Sequence, residues 1–486
     1  MRRLAGAYEQ GLPGQAVYLI AVVALLSITV VSGSQTHVIA PLAAIATIVG
    51  LTHRRLLRWE NLVGCLLVVM MFIPIGRYTI PGGLPFQLDP YRVLVALLLL
   101  AWASSLLIDP AVRVSRSQFD LPLLGLLFIA LVSTAVNSGR ITAPGASTIV
   151  AKRLTFFISF LLTYFVIVSL IRSMQHVRFL VKVLVTCSAV LGALALVEYV
   201  TGFNVFNHLR SVLPLSESPV PYSLGRRGDR LRVYGSSQHP IAYGALFAMM
   251  LPLTGYLWSA TRERRWLACA GLIALGLVST ESRTAIIMAA AVLLVLLRLR
   301  ARSIKRLWPA LLPALVAIHF ALPGSLGSLT SAFFPQGGLV AQQQSGAGTY
   351  GSGRLADWAP SIAAWKHRPL IGGGIGTRIT DKGPLQNANI LDDQWLTTLL
   401  ETGIAGVIAW FWLFASFWRR LSFAARKDWT PRGWLCAALA ADVTAFAVGM
   451  LTYDAFSFIQ VTFVLFVLLA LGAVALRDGP SGTTAT

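Results

Sequence analysis

The sequence predicts an all-α polytopic membrane protein with about 12–14 transmembrane helices and a long extracytoplasmic loop that carries an amphipathic helix. Three observations carry this. First, 56% of the 486 residues are hydrophobic, only 12% are charged, and the mean hydropathy is +0.71. Second, the apolar runs show no alternation of polar and apolar residues, so they fit helices and not barrel strands. Third, the basic residues cluster in every second connection between runs, the pattern that orients helical spans.

A span needs roughly 20 apolar residues. Runs of this kind lie near 17–34, 37–52, 61–76, 91–108, 119–136, 154–171 and 179–200. They continue near 239–259, 266–280, 284–298, 307–322, 394–418, 433–452 and 457–476. The run 17–34 follows Arg2 and Arg3 but has no convincing small-residue cleavage site, so it reads as a first span and not as a signal peptide. The runs at 37–52 and 266–280 are short enough to be re-entrant. With the N-terminus inside, the inner connections hold His53 to Arg55, Arg113 with Arg116, Arg172 with Arg178, Arg262 to Arg265, Arg298 to Arg306, and Arg419 to Arg432. All are basic, so both termini are expected in the cytoplasm. The units are then an N-terminal bundle (1–322) with an outer loop at 201–238, a large extracytoplasmic loop (323–393), C-terminal helices (394–476) and a cytoplasmic tail (477–486).

Within the large loop, residues 336–353 are rich in Gly, Gln and Ser. From Arg354 on, Leu355, Trp358, Ile362 and Trp365 fall on one helical face, predicting an amphipathic helix at the membrane surface, with Pro360 as a kink point. Pro369 should end it, and Gly372 to Gly376 should form a tight turn.

The net charge of +21 would suggest nucleic acid in a soluble chain. Here it is mostly topological charge, and no basic patch interleaves with aromatics in a soluble segment. The four cysteines, Cys65, Cys187, Cys269 and Cys436, lie singly in apolar runs and read as small core residues. No P-loop, GxSxG, HExxH or zinc spacing is present, so neither cofactor nor metal is expected.

Three basic stretches break the charge rule by facing outward: Arg226 to Arg232, Glu281 to Arg283, and Arg354. Guanidinium groups pair with phosphate oxygens, so these positions suit an anion, although lipid headgroups or internal acids would use the same chemistry. Arg283 could simply staple a turn through Glu281. Asp392 and Asp393 stand just before a span; one could serve as a general base, and either could cap the helix. His239 before Pro240 reads first as the start of a helix. Glu198, Asp442 and Asp454 lie in or near spans, where ionisable groups are functional candidates. Asp442 is expected to pair with an arginine of a neighbouring helix.

Arg232-Val-Tyr-Gly235, His239-Pro240 and Leu251-Pro252-Leu253 together resemble a segment of the O-antigen ligase/polymerase superfamily. Ser279 to Arg283 is similar to that family's T-x-S-R turn. Ser352-Gly-Arg354 to Trp358, followed by Pro369 to Gly374, resembles its S-G-R-x-x-x-W…P-x-x-G-x-G. Asp392-Asp393 and Glu401-Thr402-Gly403 to Gly406 resemble its H/D-N-x-x-L…E-T-G-x-x-G. The resemblance spans residues 190–410. It implies a metal-independent glycosyltransferase that takes a glycan from a polyprenyl-diphosphate carrier to an acceptor hydroxyl on the outer face of a bacterial cytoplasmic membrane, in surface polysaccharide assembly. It implies Arg232, Arg283 and Arg354, with Arg230, as the diphosphate clamp, Asp392 or Asp393 at the acceptor, and Glu401 and His239 in support. Its partners would be the lipid-linked glycan, a saccharide or glycolipid acceptor, membrane lipids and other assembly proteins, with no nucleic acid. Aspartate at 392, where family ligases carry histidine, points toward a polymerase or a general saccharide-transfer branch. The alternatives are a flippase or exporter for lipid-linked saccharides, which would need charges along a path through the membrane, and a non-catalytic assembly scaffold.

Overall fold

Backbone that crosses lipid must satisfy its own hydrogen bonds, and these apolar runs do so as helices. The computed structural model describes residues 58–80, 88–110, 112–141, 146–218, 226–227, 230–338, 340–341, 355, 357–377 and 391–477. Over these residues the chain is a helical polytopic membrane protein. Eight helices are long and apolar enough to cross a membrane, or nine if one bent pair counts as a span. Three shorter apolar helices accompany them. The expected spans near 17–34 and 37–52, and the tail beyond Arg477, lie outside the described residues.

In chain order the helices are α1 (Trp59–Phe72), α2 (Pro90–Ile108), α3 (Asp120–Val136), α4 (Ala146–Leu170), α5 (Met174–Thr201), α6 (Pro240–Thr261) and α7 (Arg265–Ser279). They continue as α8 (Arg283–Lys305), α9 (Leu311–Ala321), α10 (Ser325–Phe333), α11 (Trp358–Lys366), α12 (Gln394–Lys427), α13 (Pro431–Gly449) and α14 (Ile459–Arg477). Their starts follow from local chemistry. His239, Ser282 and Asp393 each accept a backbone N–H of the helix they open, and Pro240, Pro90 and Pro431 occupy first-turn positions where a missing N–H costs nothing. Two short antiparallel strand pairs complete the fold: Tyr78–Thr79 with Ser216–Glu217, and Arg226–Arg227 with Arg230–Leu231.

Helix α14 is the central post, with nearly all of its length enclosed, and α6 and α13 are mostly enclosed around it. Helix α2 is peripheral, and its exposed Leu100 and Leu107, like Leu121 and Phe128 of α3, form an outward apolar surface suited to lipid. Cys187 and Cys436 are core residues, whereas Cys65 faces outward, because α1 turns that side away from α5.

Several expectations are corrected. The expected span at 307–322 is shorter than predicted: α9 covers Leu311–Ala321, and α10 follows just past the expected end at a bend of 106°, where Gly324 adopts φ +80°. Helix α8 continues seven residues beyond 298, through Arg300, which leaves helical geometry and is wholly buried. The amphipathic helix is described from Trp358, and Ile362 and Trp365 pack on Leu391 and on Leu396 and Leu400 of α12. Pro360 falls in its first turn, where no kink is needed. Asp442, buried on α13, has no hydrogen-bond partner on either carboxylate oxygen among the described residues.

Arg300 donates to Ala425 O and Asp428 O at the end of α12, and its guanidinium lies over Trp429 at 4.8 Å and Trp434 at 5.6 Å. Arg477 likewise donates to Val168 O and Ile171 O at the end of α4, and Arg432 to Ala475 O near the end of α14. Arginines that read as topological charge therefore also close helix C-termini, where backbone carbonyls lack intrahelical donors. Replacing Arg300 with methionine should keep much of the buried volume but strand two carbonyls. The expected loss is about 3 kcal/mol of unfolding free energy, read by denaturant titration of the purified protein in micelles.

Candidate functional site

Helix α5 ends beside the segment that leads into α6. Glu198 accepts the N–H groups of Tyr234 (3.2 Å) and Gly235 (3.0 Å), and Asn204 donates to Gly235 O (3.1 Å). This holds Arg232 against the next turn, where its Nε donates to Thr280 O at 3.4 Å. Arg283 stands three residues on, at the start of α8. Glu281 between them adopts φ +48°, uncommon for a non-glycine residue and a mark of a turn fixed by its surroundings. Its carboxylate accepts Ser328 Oγ at 2.6 Å, and Arg283 Nη1 donates to Ala332 O at 3.1 Å, so α10 lies over the turn. Arg232 and Arg283, 51 positions apart, therefore meet at one turn, next to the positive end of α8.

The second group forms where α12 begins. Asp393 caps the helix: its Oδ1 accepts Leu396 N–H at 3.0 Å and the residue is buried. Asp392 precedes it and is partly exposed. Helix α12 then breaks at Gly403 (φ +66°, ψ −167°). The chain at 369–374 threads into that break. Ile404 and Ala405 donate to Pro369 O and Leu370 O, and Gly373 and Gly374 donate to Leu400 O and Glu401 O. From α3, Ser133 donates to Ile371 O and Glu401 O, and Asn137 to Gly372 O. Glu401 Oε1 accepts Gly376 N–H at 3.0 Å. Leu400 O and Glu401 O, carbonyls beside the break, thus take their donors from the threaded segment and from α3.

The turn 450–458 joins the two groups. Gln394 binds it twice, through Met450 O and Phe456 N–H, and the ring of Phe458 stacks on His239 at 5.7 Å. A cavity of about 70 Å³ opens there, lined by Gln394, Thr397, Glu401, Arg153 and Asp454 above an aromatic floor that includes Phe156 and Trp410. Burial pushes the Asp454 carboxyl above the usual carboxylate range; Arg153 opposes that rise, and the charge of Asp392 adds to it. Burial raises the Asp357 carboxyl too, again with the Asp392 charge adding. Asp392 therefore sits among carboxylates that feel it from both sides. Among the described residues, no group of three or more His, Cys, Asp or Glu is placed to hold a metal ion.

Residues 268–411 match the O-antigen ligase family model. The match covers 144 of the 486 residues, from α7 into α12. No curated protein matches the chain. The matched region holds Arg283, Asp392, Asp393 and Glu401, together with the glycine segment threaded through α12. Arg232, His239, Arg153 and Asp454 come from outside it. Arg354 belongs to the region but lies outside the described residues. Arg230 has its backbone paired with Arg227, and its side chain is not described.

His239 does what its sequence context suggests first: its Nδ1 accepts Ile241 N–H at 3.2 Å at the start of α6. Sequence reasoning passed over Arg153, which it assigned to the loop 137–153. The signal was present, because Lys152-Arg153 is a basic pair on the side where the charge rule expects few. It also passed over Asp357 and Gln394, which carry no motif signal that would separate them from a turn residue and a first-turn polar residue.

Proposed function

We propose that this protein transfers a glycan from a polyprenyl-diphosphate carrier to an acceptor hydroxyl on the outer face of the membrane. The reading rests on one observation: at one end of the bundle, two arginines meet at a turn while a carboxylate group gathers across the 450–458 turn, with most of these elements inside the O-antigen ligase match. The acceptor oxygen attacks the anomeric carbon. The bond from that carbon to the diphosphate oxygen breaks, and the diphosphate leaves with the electron pair. The acceptor proton passes to Asp392. Arg232 and Arg283, with Arg354, neutralise the charge that grows on the leaving group, which is where preorganised donors lower a barrier most. Nucleotides play no part, and the sugar bond to diphosphate supplies the driving force. Under this reading both termini face the cytoplasm, the large loop 323–393 covers the site from outside, and the product is a polymerised or ligated surface polysaccharide.

The two aspartates divide the work. Asp393 is spent on the cap, and asparagine caps a helix as well as aspartate does. Asp393→Asn should therefore keep most activity. Asp392→Asn removes the proton acceptor and should lower the transfer rate by about 100- to 10,000-fold. Glycan profiling of a deletion strain carrying each variant checks this; equal loss in both would remove Asp392 from the acceptor role.

A further inference from the structure

Arg153 belongs to none of the arginine stretches that break the charge rule, and it enters from α4, far in sequence from the O-antigen ligase match. Its Nη2 donates to Ser457 Oγ at 2.7 Å and stands 4.0 Å from Asp454 Oδ2. Ser457 Oγ closes the set by donating to Asp454. The arginine stem fills the space beside Gly376, the residue whose N–H Glu401 holds: a Cβ there would lie 3.2 Å from Arg153 Cγ. One side chain therefore ties together α4, the turn 450–458 and the glycine segment. Its head lines the cavity shared by Glu401, Gln394 and Asp454.

We infer that Arg153 is a positioning residue on the acceptor side, which holds Asp454 as a fixed wall of the pocket that Gln394 and Glu401 also line. The inference rests on the transfer reading above. Among the described residues, the charged and titratable groups around Asp454 are Arg153 from α4, Asp392 ahead of α12 and Tyr453 on its own turn, with Glu401 from α12 in the same cavity. Of these, Arg153 is the one cation. Burial already favours the protonated form of Asp454, so the guanidinium is what opposes protonation most strongly. A protonated Asp454 would turn a hydrogen-bond acceptor toward the pocket into a donor. It would also remove the negative charge that lies beside Asp392. The acceptor hydroxyl, which must present its proton to Asp392, would then meet a competing donor.

The sign of the pH effect follows. Without Arg153, Asp454 takes up its proton at higher pH, so the acid limb of the transfer rate moves upward. The test uses isolated membranes of cells lacking this protein, which hold the accumulated lipid-linked saccharide, mixed with purified full-length variants across the range about pH 5.5 to 9. For Arg153→Gln the rate should fall about tenfold relative to wild type near pH 6, and the deficit should shrink to less than about threefold near pH 9. Apparent affinity for the lipid-linked saccharide should change little, because the diphosphate arginines are untouched. Arg153→Lys keeps the charge and should recover the wild-type pH profile, with a lower rate from the lost Ser457 geometry. A uniform loss at every pH, in a variant that unfolds at lower temperature in micelles, would mean a purely structural role and overturn the inference. So would an unchanged profile in Arg153→Gln. If wild-type protein itself forms no new glycosidic bond in these membranes, the transfer reading fails first, and that outcome is distinct from either.

Discussion

Arg283→Ala should lower glycan transfer by about 100- to 1,000-fold while leaving membrane insertion intact. The magnitude follows from where the guanidinium acts. Charge accumulates on the diphosphate only as the bond to the sugar breaks, so a fixed cation beside it stabilises the transition state more than the bound donor. Loss should therefore appear mainly in kcat. Arg232→Ala should behave alike, because its Nε is anchored on Thr280 O at the same turn, and the proposed function has both side chains serve one anion. Their effects should not add: removing both should cost little more than removing one, as expected for groups that act as a unit. Lysine at 283 restores the charge but not the planar fork, so Arg283→Lys should recover only part of the rate. The structural cost of either alanine is small by comparison. Arg283 is partly exposed and leaves one carbonyl, Ala332 O, without its donor, a loss of about 1 kcal/mol. Rates measured on membranes with equal amounts of inserted protein separate the two effects. Retained transfer in both alanine variants would end the clamp assignment.

The membrane architecture was legible because it depends on run length and charge, both of which are local properties of a chain. The starts of α6, α8, α12 and α13 could be read to within two residues from His239-Pro240, Ser282, Asp393 and Pro431. What hydropathy does not report is how helices bend and what polar groups do once packed. The helix α10 that follows α9 at a turn of 106° lies in what hydropathy marks as loop, and Arg300 looks like one more cytoplasmic charge until it is seen holding α12. For the site, the motifs containing Pro369 and Glu401 read as separate signatures 32 positions apart. In three dimensions they are one object, because the helix break that the second creates is filled by the first. Arg153 escaped for a related reason: it is unremarkable in its own segment, and its meaning comes from meeting Asp454, a candidate that the charge in a span did flag, across 301 positions. Asp442 went the other way, a charge in a span that meets no hydrogen-bond partner among the described residues.

That interlocked segment carries the second large effect. A Cβ at Gly403 would lie 2.3 Å from Leu370 O and 2.4 Å from its carbonyl carbon, and the residue sits at φ +66°, ψ −167°, a region essentially reserved for glycine. A Cβ at Gly372 would lie 2.5 Å from the backbone carbon of Glu401, on the opposite face of the same contact. Both clashes are backbone to Cβ, so neither can be relieved by a rotamer change. Gly403→Ala must either straighten α12 or expel residues 369–374 from the break. Each route strands the donors and acceptors now paired between Pro369, Leu370, Gly373 and Gly374 and the α12 backbone. Strain of about 1–3 kcal/mol adds to about 1–3 kcal/mol for each polar group left unpaired, so a loss of several kcal/mol is expected. The same movement would carry Glu401 away from Gly376 and shift Gln394 relative to the 450–458 turn, so the variant that still inserts should be inactive. Gly403→Ala should thus show a lower unfolding midpoint and loss of transfer together. Gly406→Ala is no neutral control, because a Cβ there would lie 1.8 Å from Thr402 Oγ1. Gly327→Ala, where a Cβ meets nothing within 4 Å, is one. A Gly403→Ala protein with wild-type stability and full activity would show that the break in α12 is dispensable, and with it the fixed placement of Glu401.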